Sequence, residues 1–157
     1  MPKLSLDSKR LVQGIAEKQC VESELDHPQG GNTMGSNVYE KFKEASLGAE
    51  NKAIEAITRL DPEYAEYLKG IYVDGTFGRE GALPRRTKEL IMVGITCALN
   101  RPRGVRLHTQ RALTLGVTPK EVLETMEVSA IPGGMPGLWL GVETLQEILK
   151  EKGIEFK

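Results

Sequence analysis

The sequence predicts an all-α protein, and three observations carry that prediction. Hydrophobic residues recur at the three- and four-residue spacing of one helix face along most of the 157 residues. Capping residues and prolines stand where such segments start, and glycines stand where they end. No segment shows the two-residue alternation of a half-buried strand. The predicted helices span residues 5–19, 38–47, 49–60, 62–72, 84–99, 105–115, 119–131 and 137–152.

The composition is that of one globular domain. The chain is 39% hydrophobic and 27% charged, which is too apolar for a disordered chain and too polar for a membrane protein. Its length is enough to bury a core. No run of about 18 apolar residues is present, so we expect no membrane span. Because the first ten residues lack the apolar core of a signal peptide, we predict a cytoplasmic location.

The N-terminal part of the chain differs from the rest. Residues 5–19 carry Leu11, Val12 and Ile15 at helical spacing, but residues 20–37 lose all periodicity in a Gly-, Asn- and Pro-rich run. We therefore predict an N-terminal extension, residues 1–37, and a main helical domain, residues 38–157. A single amphipathic helix on a long tether is hard to stabilise alone, so the extension could exchange onto a neighbouring subunit.

The first helices of the main domain are separated by clear boundary signals. Gly48 is a typical left-handed terminator for the helix before it. Asp61-Pro62 is an N-cap followed by a first-turn proline, and it opens a helix with an aromatic and aliphatic stripe that ends near Tyr72. Three glycines are then expected to loosen the chain: Gly75, Gly78 and Gly81.

The next helices are predicted to form the centre of the domain. The helix that begins at Pro84 is almost wholly apolar from Leu90 onward, which is typical of a helix in the core or at a subunit interface. Residues 100–104 are expected to break it. Thr118 and Glu121 have the spacing of a capping box at the start of the following helix. Residues 132–136 predict a tight break before the last helix.

Cysteines and histidines are scarce, which limits the chemistry available. The two cysteines, Cys20 and Cys97, are far apart and form no CxxC pair. That spacing argues against a disulfide framework and a zinc knuckle. His27 and His108 are the two histidines, so a metal site built from protein ligands is poorly supplied and no metal is predicted.

A basic segment lies in the middle of the chain. Residues 79–111 contain eight Lys or Arg against two Glu, although the net charge of the whole chain is −1. The segment has no aromatic residue, which argues against nucleic-acid binding. It suits a small carboxylate-bearing ligand or salt bridges between subunits, and solvated arginines remain an open alternative. Arg85, Arg86 and Arg101 bracket the apolar helix and are the candidate carboxylate-binding residues, because guanidinium groups bind carboxylates in bidentate fashion.

His108, Glu89 and Cys97 are the candidate reactive residues. His108 lies on the apolar stripe of its helix, so it is either a hydrogen-bonded core residue or a proton-transfer group. Glu89 is either an exposed residue near a helix start or the buried partner of His108. Cys97 is either a small buried hydrophobe or a lone redox thiol. The residues alone leave these alternatives open.

Residues 78–124 resemble the carboxymuconolactone decarboxylase family, and the similarity extends over about residues 38–150. The motif runs through His108, Ala112, Gly116, Thr118 and Glu121, and continues at Gly134 and Pro136. The resemblance implies an all-α bundle of the alkylhydroperoxidase D-like fold, assembled as a homo-trimer or hexamer. In the redox branch of that superfamily a histidine follows a glutamate by 19 positions, as here, but the CxxC cysteines would fall on Arg101 and Gly104. A dithiol peroxidase is therefore not expected.

The resemblance also implies an activity. The protein would be a lyase that acts without a cofactor on a small carboxylated lactone or a related metabolite of aromatic-compound catabolism. His108 would be the general acid–base, Glu89 would orient it, and the three arginines named above would hold carboxylates. The decarboxylase proper often has a small residue at the position of Glu89, which leaves room for a related isomerising or lactonising reaction. The alternatives are a redox protein using Cys97 alone and a non-catalytic oligomeric scaffold.

Overall fold

The computed structural model describes residues 33–155, with side chains from residue 37 onward. The chain divides into two units, Met1–Asn32 and Thr33–Lys157. The predicted helix at 5–19, Cys20 and His27 lie outside the described residues, and the predicted domain boundary at residue 37 stays a prediction.

The all-α prediction is confirmed for the described part of the chain, where every regular element is helical. The helix bounds agree with the predicted ones to within a few residues at most ends. The elements are α1 (Thr33–Ala45), α2 (Lys52–Leu60), α3 (Pro62–Lys69), a π-helical segment (Gly70–Phe77), α4 (Arg85–Ala98), α5 (Pro102–Thr114), α6 (Pro119–Gly133) and α7 (Met135–Glu151).

Two hydrophobic clusters hold these helices together. The larger one lies among α4, α5, α6 and α7, which pack against one another. The smaller one joins α1, α2, α3 and the π-helical segment around Val38, Phe42 and Ala65. The larger cluster consists of Val93, Cys97, Val105, Ala112, Val117, Val122, Met126, Leu145 and Leu149.

The predicted boundary signals are present as hydrogen bonds. The Asp61 carboxylate accepts a bond of 2.9 Å from the Tyr64 amide, at the start of α3. Thr118 and Glu121 form both halves of the capping box at the start of α6. Such caps satisfy amide groups that a helix start would otherwise leave unpaired. The turns after α1 and α5 use glycines with positive φ, Gly48 (83°) and Gly116 (78°).

The predicted loosening of the chain is confirmed at Gly78 and Gly81, which lie in the irregular segment before α4, and is wrong at Gly75. Residues 70–77 continue α3 as a π-helix, and the wider turns carry Phe77 to a buried position with 6% of its surface exposed. A π-helix shifts the register of all following side chains, and the 3.6-residue pattern does not anticipate it.

The predicted breaks at 100–104 and 132–136 are longer than the observed ones. α5 begins at Pro102, because the turn needs only Asn100, which has a φ of 52°. α6 continues through Pro132 to Gly133, whose missing side chain lets the helix lie against Ala98: a Cβ there would be 2.4 Å from the Ala98 Cα. Among the helices of residues 33–155, none combines the length and the apolar character needed to cross a bilayer.

Candidate active site

Glu89 and His108 meet in the interior, between α4 and α5. Glu89 is fully buried, one turn before the core residue Val93 on the same face of α4. His108 follows Val105 by three positions and precedes Ala112 by four, and both of those residues are fully buried. The His108 Nδ1 lies 2.7 Å from the Glu89 Oε2. The contact that the 19-residue spacing left open is therefore present.

Arg85 binds the other oxygen of the same carboxylate. Its Nε and Nη2 donate to the Glu89 Oε1 at 3.0 and 2.8 Å. Nη2 also donates to the carbonyl oxygen of Ala45, at the end of α1. The Arg85 side chain is 21% exposed, whereas that of Glu89 is wholly enclosed. Both oxygens of the buried carboxylate therefore have partners, as a buried charge requires.

The charge on Glu89 determines how His108 is protonated. Burial by itself raises the pKa of Glu89, but the hydrogen bonds from His108 and Arg85 and their charges outweigh burial and leave that pKa below its usual value. The ionised carboxylate can only accept hydrogen bonds, so Nδ1 must carry a proton and donate. In the neutral imidazole the lone pair is then on Nε2. This arrangement fixes one tautomer of His108.

The π-helical segment provides an aromatic wall beside these charges. The Phe77 ring stacks on His108, with centroids 6.1 Å apart and planes at 18°. The guanidinium carbon of Arg85 lies 4.5 Å from the centroid of the same ring, a cation–π distance. Tyr72 contacts Phe77 with centroids 4.8 Å apart. The wall holds the imidazole and the guanidinium in place.

A cavity of about 220 Å³ opens beside His108. Its polar lining includes Lys43, Ser46, Tyr72 and Arg111. Arg111 has 4% of its surface exposed; its Nη1 donates to the Tyr72 hydroxyl at 2.6 Å and its Nε to the Ser46 carbonyl oxygen at 3.3 Å. The volume is below the roughly 300–1,000 Å³ of drug-sized ligand sites, so the cavity suits a small molecule.

Two of the arginines selected from the sequence lie away from this cavity. Arg86 pairs with Glu121 at 2.6 Å, and both side chains are about half exposed. Arg101 is exposed immediately before α5. Arg85 reaches the site through Glu89. The substrate-binding role predicted for Arg85, Arg86 and Arg101 stays a prediction.

Cys97 lies in the main core rather than at the cavity. It is fully buried, and burial raises the pKa of its thiol to about 11. The thiol therefore stays protonated at neutral pH, whereas nucleophilic chemistry needs the thiolate. Among residues 33–155, no three His, Cys, Asp or Glu side chains are grouped so that they could hold a metal ion.

Comparison with known proteins shows the family of the chain. The model of the carboxymuconolactone decarboxylase family matches residues 62–147, which include Glu89, His108 and the helices that carry them. The chain belongs to this family.

Relatives of the family are distant in sequence. The chain is 24% identical over 104 residues to 4-carboxymuconolactone decarboxylase of Acinetobacter baylyi, covering 66% of this chain and 77% of that protein. It is 28% identical over 109 residues to an uncharacterised 15.0 kDa protein of Paracoccus denitrificans, covering 68% of this chain and 80% of that one.

Solved structures support the family fold. A protein of Burkholderia xenovorans LB400, described as a proposed carboxymuconolactone decarboxylase, matches with a TM-score of 0.62 and 22% identity over 76% of this chain and 96% of its own. A carboxymuconolactone decarboxylase family protein from Legionella pneumophila, solved in its apo form, matches with a TM-score of 0.56 and 23% identity over 74% and 95%. At these identities the likeness concerns the fold alone.

A larger concave surface of this family member lies away from His108. An open groove of about 850 Å³ runs between α4 and α6, lined mainly by apolar side chains such as Ile91, Ile95, Val128 and Ile131. Ile131 is 89% exposed. Neither Glu89 nor His108 lines this groove.

Three residues of the candidate site were not selected from the sequence. Arg111 was counted only as part of the basic segment, although it follows His108 by three positions and so shares its helix face. Tyr72 was assigned to a core stripe. Phe77 was not selected at all, and its place beside His108 depends on the π-helical register.

Proposed function

We propose that the chain is an enzyme, a lyase of the carboxymuconolactone decarboxylase type, that acts on a small carboxylated lactone or a related carboxylate. His108 is the general acid–base and Glu89 its orienting partner. The observation that carries the proposal is the buried 2.7 Å contact between His108 and Glu89 beside a small cavity. The similarity to the Acinetobacter baylyi enzyme, which is named for 4-carboxymuconolactone, supports the choice of substrate class.

The proposed reaction has two steps. Cleavage of the bond to a carboxylate releases CO₂ and leaves its electron pair on the substrate, where the unsaturated lactone carbonyl delocalises it. Protonated Nε2 of His108 then delivers its proton to carbon, and solvent returns a proton to the ring. Glu89 stabilises the imidazolium form, which exists before the proton is delivered and again after solvent has restored it. The proposal uses no cofactor.

Arg85 has an indirect part in this scheme. It pairs with Glu89 and keeps that carboxylate ionised, so the two residues and neutral His108 together are uncharged. Protonation of His108 would give the three residues a net charge of +1 in a poorly solvated place, and the hydrogen bond from Nδ1 to the Glu89 carboxylate lowers the cost of that charge. The same machinery fits a proton-transfer reaction without loss of CO₂, so a related isomerisation belongs to the same proposal.

The two alternative functions have less support. A redox role for Cys97 needs a thiolate, and burial holds the pKa of that thiol at about 11. A non-catalytic scaffold gains little from burying Glu89 with Arg85 and His108, because apolar side chains of the same volume stabilise a core as well or better.

A homo-oligomer remains part of the proposal. The exposed apolar side chains of the α4–α6 groove form the kind of surface that protein–protein contacts cover. Subunit number, as trimer or hexamer, is measured by light scattering of the purified protein. The cytoplasmic location stays a prediction.

Turnover of 4-carboxymuconolactone, followed by CO₂ release, tests the proposed function. We expect His108→Ala to lower kcat by about 100-fold or more, because general acid–base catalysis contributes about 10²–10⁴-fold. Ile131→Ala, in the groove, is the matched control and keeps its rate. Circular dichroism checks that both variants fold. Unchanged turnover in His108→Ala would remove this residue from the mechanism. If the wild-type protein neither converts 4-carboxymuconolactone nor is stabilised by small di- and tricarboxylates, the scaffold alternative gains support.

A further inference from the structure

The guanidinium of Arg111 is a buried charge without a counter-ion in the described part of the chain. It is 4% exposed, yet the ion pairs among residues 37–155 all involve other cations. Its two hydrogen bonds go to neutral oxygens, the Tyr72 hydroxyl and the Ser46 carbonyl. Arg85, the other enclosed arginine of this region, has Glu89 as its partner. Arg111 therefore differs from every other arginine near the site.

An anion in the cavity would supply the missing partner. Enclosing a charge costs several kcal/mol unless it is paired. Nε and Nη1 of Arg111 are occupied, whereas Nη2 makes no hydrogen bond among the described residues. Arg111 and His108 line the same cavity. Since they are three positions apart on α5, their Cβ atoms are about 5–6 Å apart.

We propose that Arg111 binds a carboxylate that the substrate keeps, and so fixes the position of the reacting carbon against Nε2 of His108. Pairing with a guanidinium stabilises a carboxylate as an anion, so the group held there is not the one lost as CO₂. In a substrate of the proposed class, one carboxylate is then held by Arg111 and another is released. This inference rests on the proposed function for its second carboxylate, but the anion site stands on geometry alone.

Lys43 lines the same cavity and provides a contrast. Its Nζ lies 3.6 Å from the Glu50 carboxylate, and the two side chains are 35% and 72% exposed. A solvated cation that already has a partner contributes little to a specific anion site. Specific binding by Arg111 and general attraction by positive charge therefore predict different results for the two residues.

The test is binding of benzoate and of its neutral counterpart benzamide, measured by calorimetry and by thermal stabilisation of the full chain at neutral pH. The wild type should prefer benzoate. Arg111→Gln should weaken benzoate by about tenfold or more and leave benzamide unchanged, because a charge-assisted hydrogen bond is lost. Arg111→Lys keeps the charge without the planar guanidinium, so its affinity for benzoate should lie between those of the wild type and Arg111→Gln. This variant also provides the test if Arg111→Gln does not fold. Lys43→Gln should change both affinities little.

Three results would overturn the inference. The first is that the wild type binds benzoate and benzamide with equal affinity. The second is that Arg111→Gln weakens the binding of both probes equally, which would indicate a structural role for Arg111. The third is that Lys43→Gln weakens benzoate binding as much as Arg111→Gln does. His108→Ala separates this inference from the proposed function. Benzoate selectivity that survives in that variant, with no turnover by the wild type, would leave the anion site standing while the reaction fails. Full turnover with an unchanged KM in Arg111→Gln would support the proposed reaction and contradict the role of Arg111 in binding the substrate.

Discussion

The cavity beside His108 and the α4–α6 groove differ in size and in chemistry. The cavity beside His108 measures about 220 Å³ and is lined by the imidazole of His108, which contacts the buried carboxylate of Glu89, and by the buried guanidinium of Arg111. The α4–α6 groove measures about 850 Å³ and is mostly apolar. Buried charges are costly and persist where they are paired or used, whereas exposed apolar surface is typical of contacts with other chains. Chemistry is therefore expected in the smaller region.

Because of its periodicity, α4 carries both the carboxylate partner of His108 and one wall of the groove. Glu89 and Val93 are four positions apart and point into the core, while Ile91 and Ile95 are four positions apart and lie in the groove, 44% and 46% exposed. A change on one face of α4 should leave the other face intact. Substitutions on each face test that separation, and they follow in order of expected effect.

Glu89→Leu should give the largest loss of stability. It removes the shared acceptor of Arg85 and His108 and leaves a guanidinium unpaired, at a cost of about 3 kcal/mol in the free energy of unfolding. Glu124→Leu is the matched control, because this exposed carboxylate lines the groove, and a change within about 0.5 kcal/mol is expected. Urea denaturation measures both. Equal effects would show that the two faces do not differ in this way.

Gly137→Ala and Gly94→Ala should differ in sign. A Cβ at Gly137 would lie 2.3 Å from the carbonyl oxygen of Cys97, so α7 must move away from α4 at a cost of about 1–3 kcal/mol. A Cβ at Gly94 would meet Thr125 at 3.5 Å, an ordinary contact, and alanine favours the helix by about 0.5–1 kcal/mol. Thermal denaturation measures both variants. A destabilised Gly94→Ala protein would mean that α4 and α6 pack more closely at the groove than this distance allows.

Acid should destabilise the wild type more than Glu89→Gln. The pKa of Glu89 in the folded protein is below its usual value of 4.5, so its contribution to stability is present above that value and is lost as pH falls through the folded pKa. The glutamine amide of the variant does not titrate. Urea midpoints measured from neutral pH downward should therefore converge as the pH becomes acidic. Parallel curves would indicate that Glu89 is not the ionised partner of His108.

Cys97 should show the smallest effect, which is no reaction. In a Cys20→Ser background, iodoacetamide at neutral pH should leave the folded protein unlabelled and label it fully in urea, because the thiol is buried and its pKa is raised to about 11. Mass spectrometry reads the outcome. Rapid labelling of the folded protein would restore the redox alternative.

The sequence predicted the helical fold and the position of most helix ends, since capping residues and apolar spacing are local signals. The contact between Glu89 and His108 stayed open, because the apolar stripe and the 19-residue interval of the family resemblance selected the two residues, whereas their contact depends on how α4 packs against α5. The position of Phe77 beside His108 could not be predicted, because a π-helical segment changes the helical register and no residue of 70–77 indicates such a segment. Arg111 was visible as a charge, but its lack of a counter-ion depends on which side chains α1 and the π-helical segment bring to it.

The tautomer of His108 tests the central claim most directly. The claim is that ionised Glu89 holds the proton on Nδ1 and leaves Nε2 as the basic nitrogen of His108. Long-range ¹H–¹⁵N spectra report which ring nitrogen is protonated. They are recorded on the full chain at a pH where the ring is neutral, and the His108→Ala variant assigns the signals. We expect a protonated Nδ1 and a free Nε2. The opposite tautomer, with the proton on Nε2, would contradict the account.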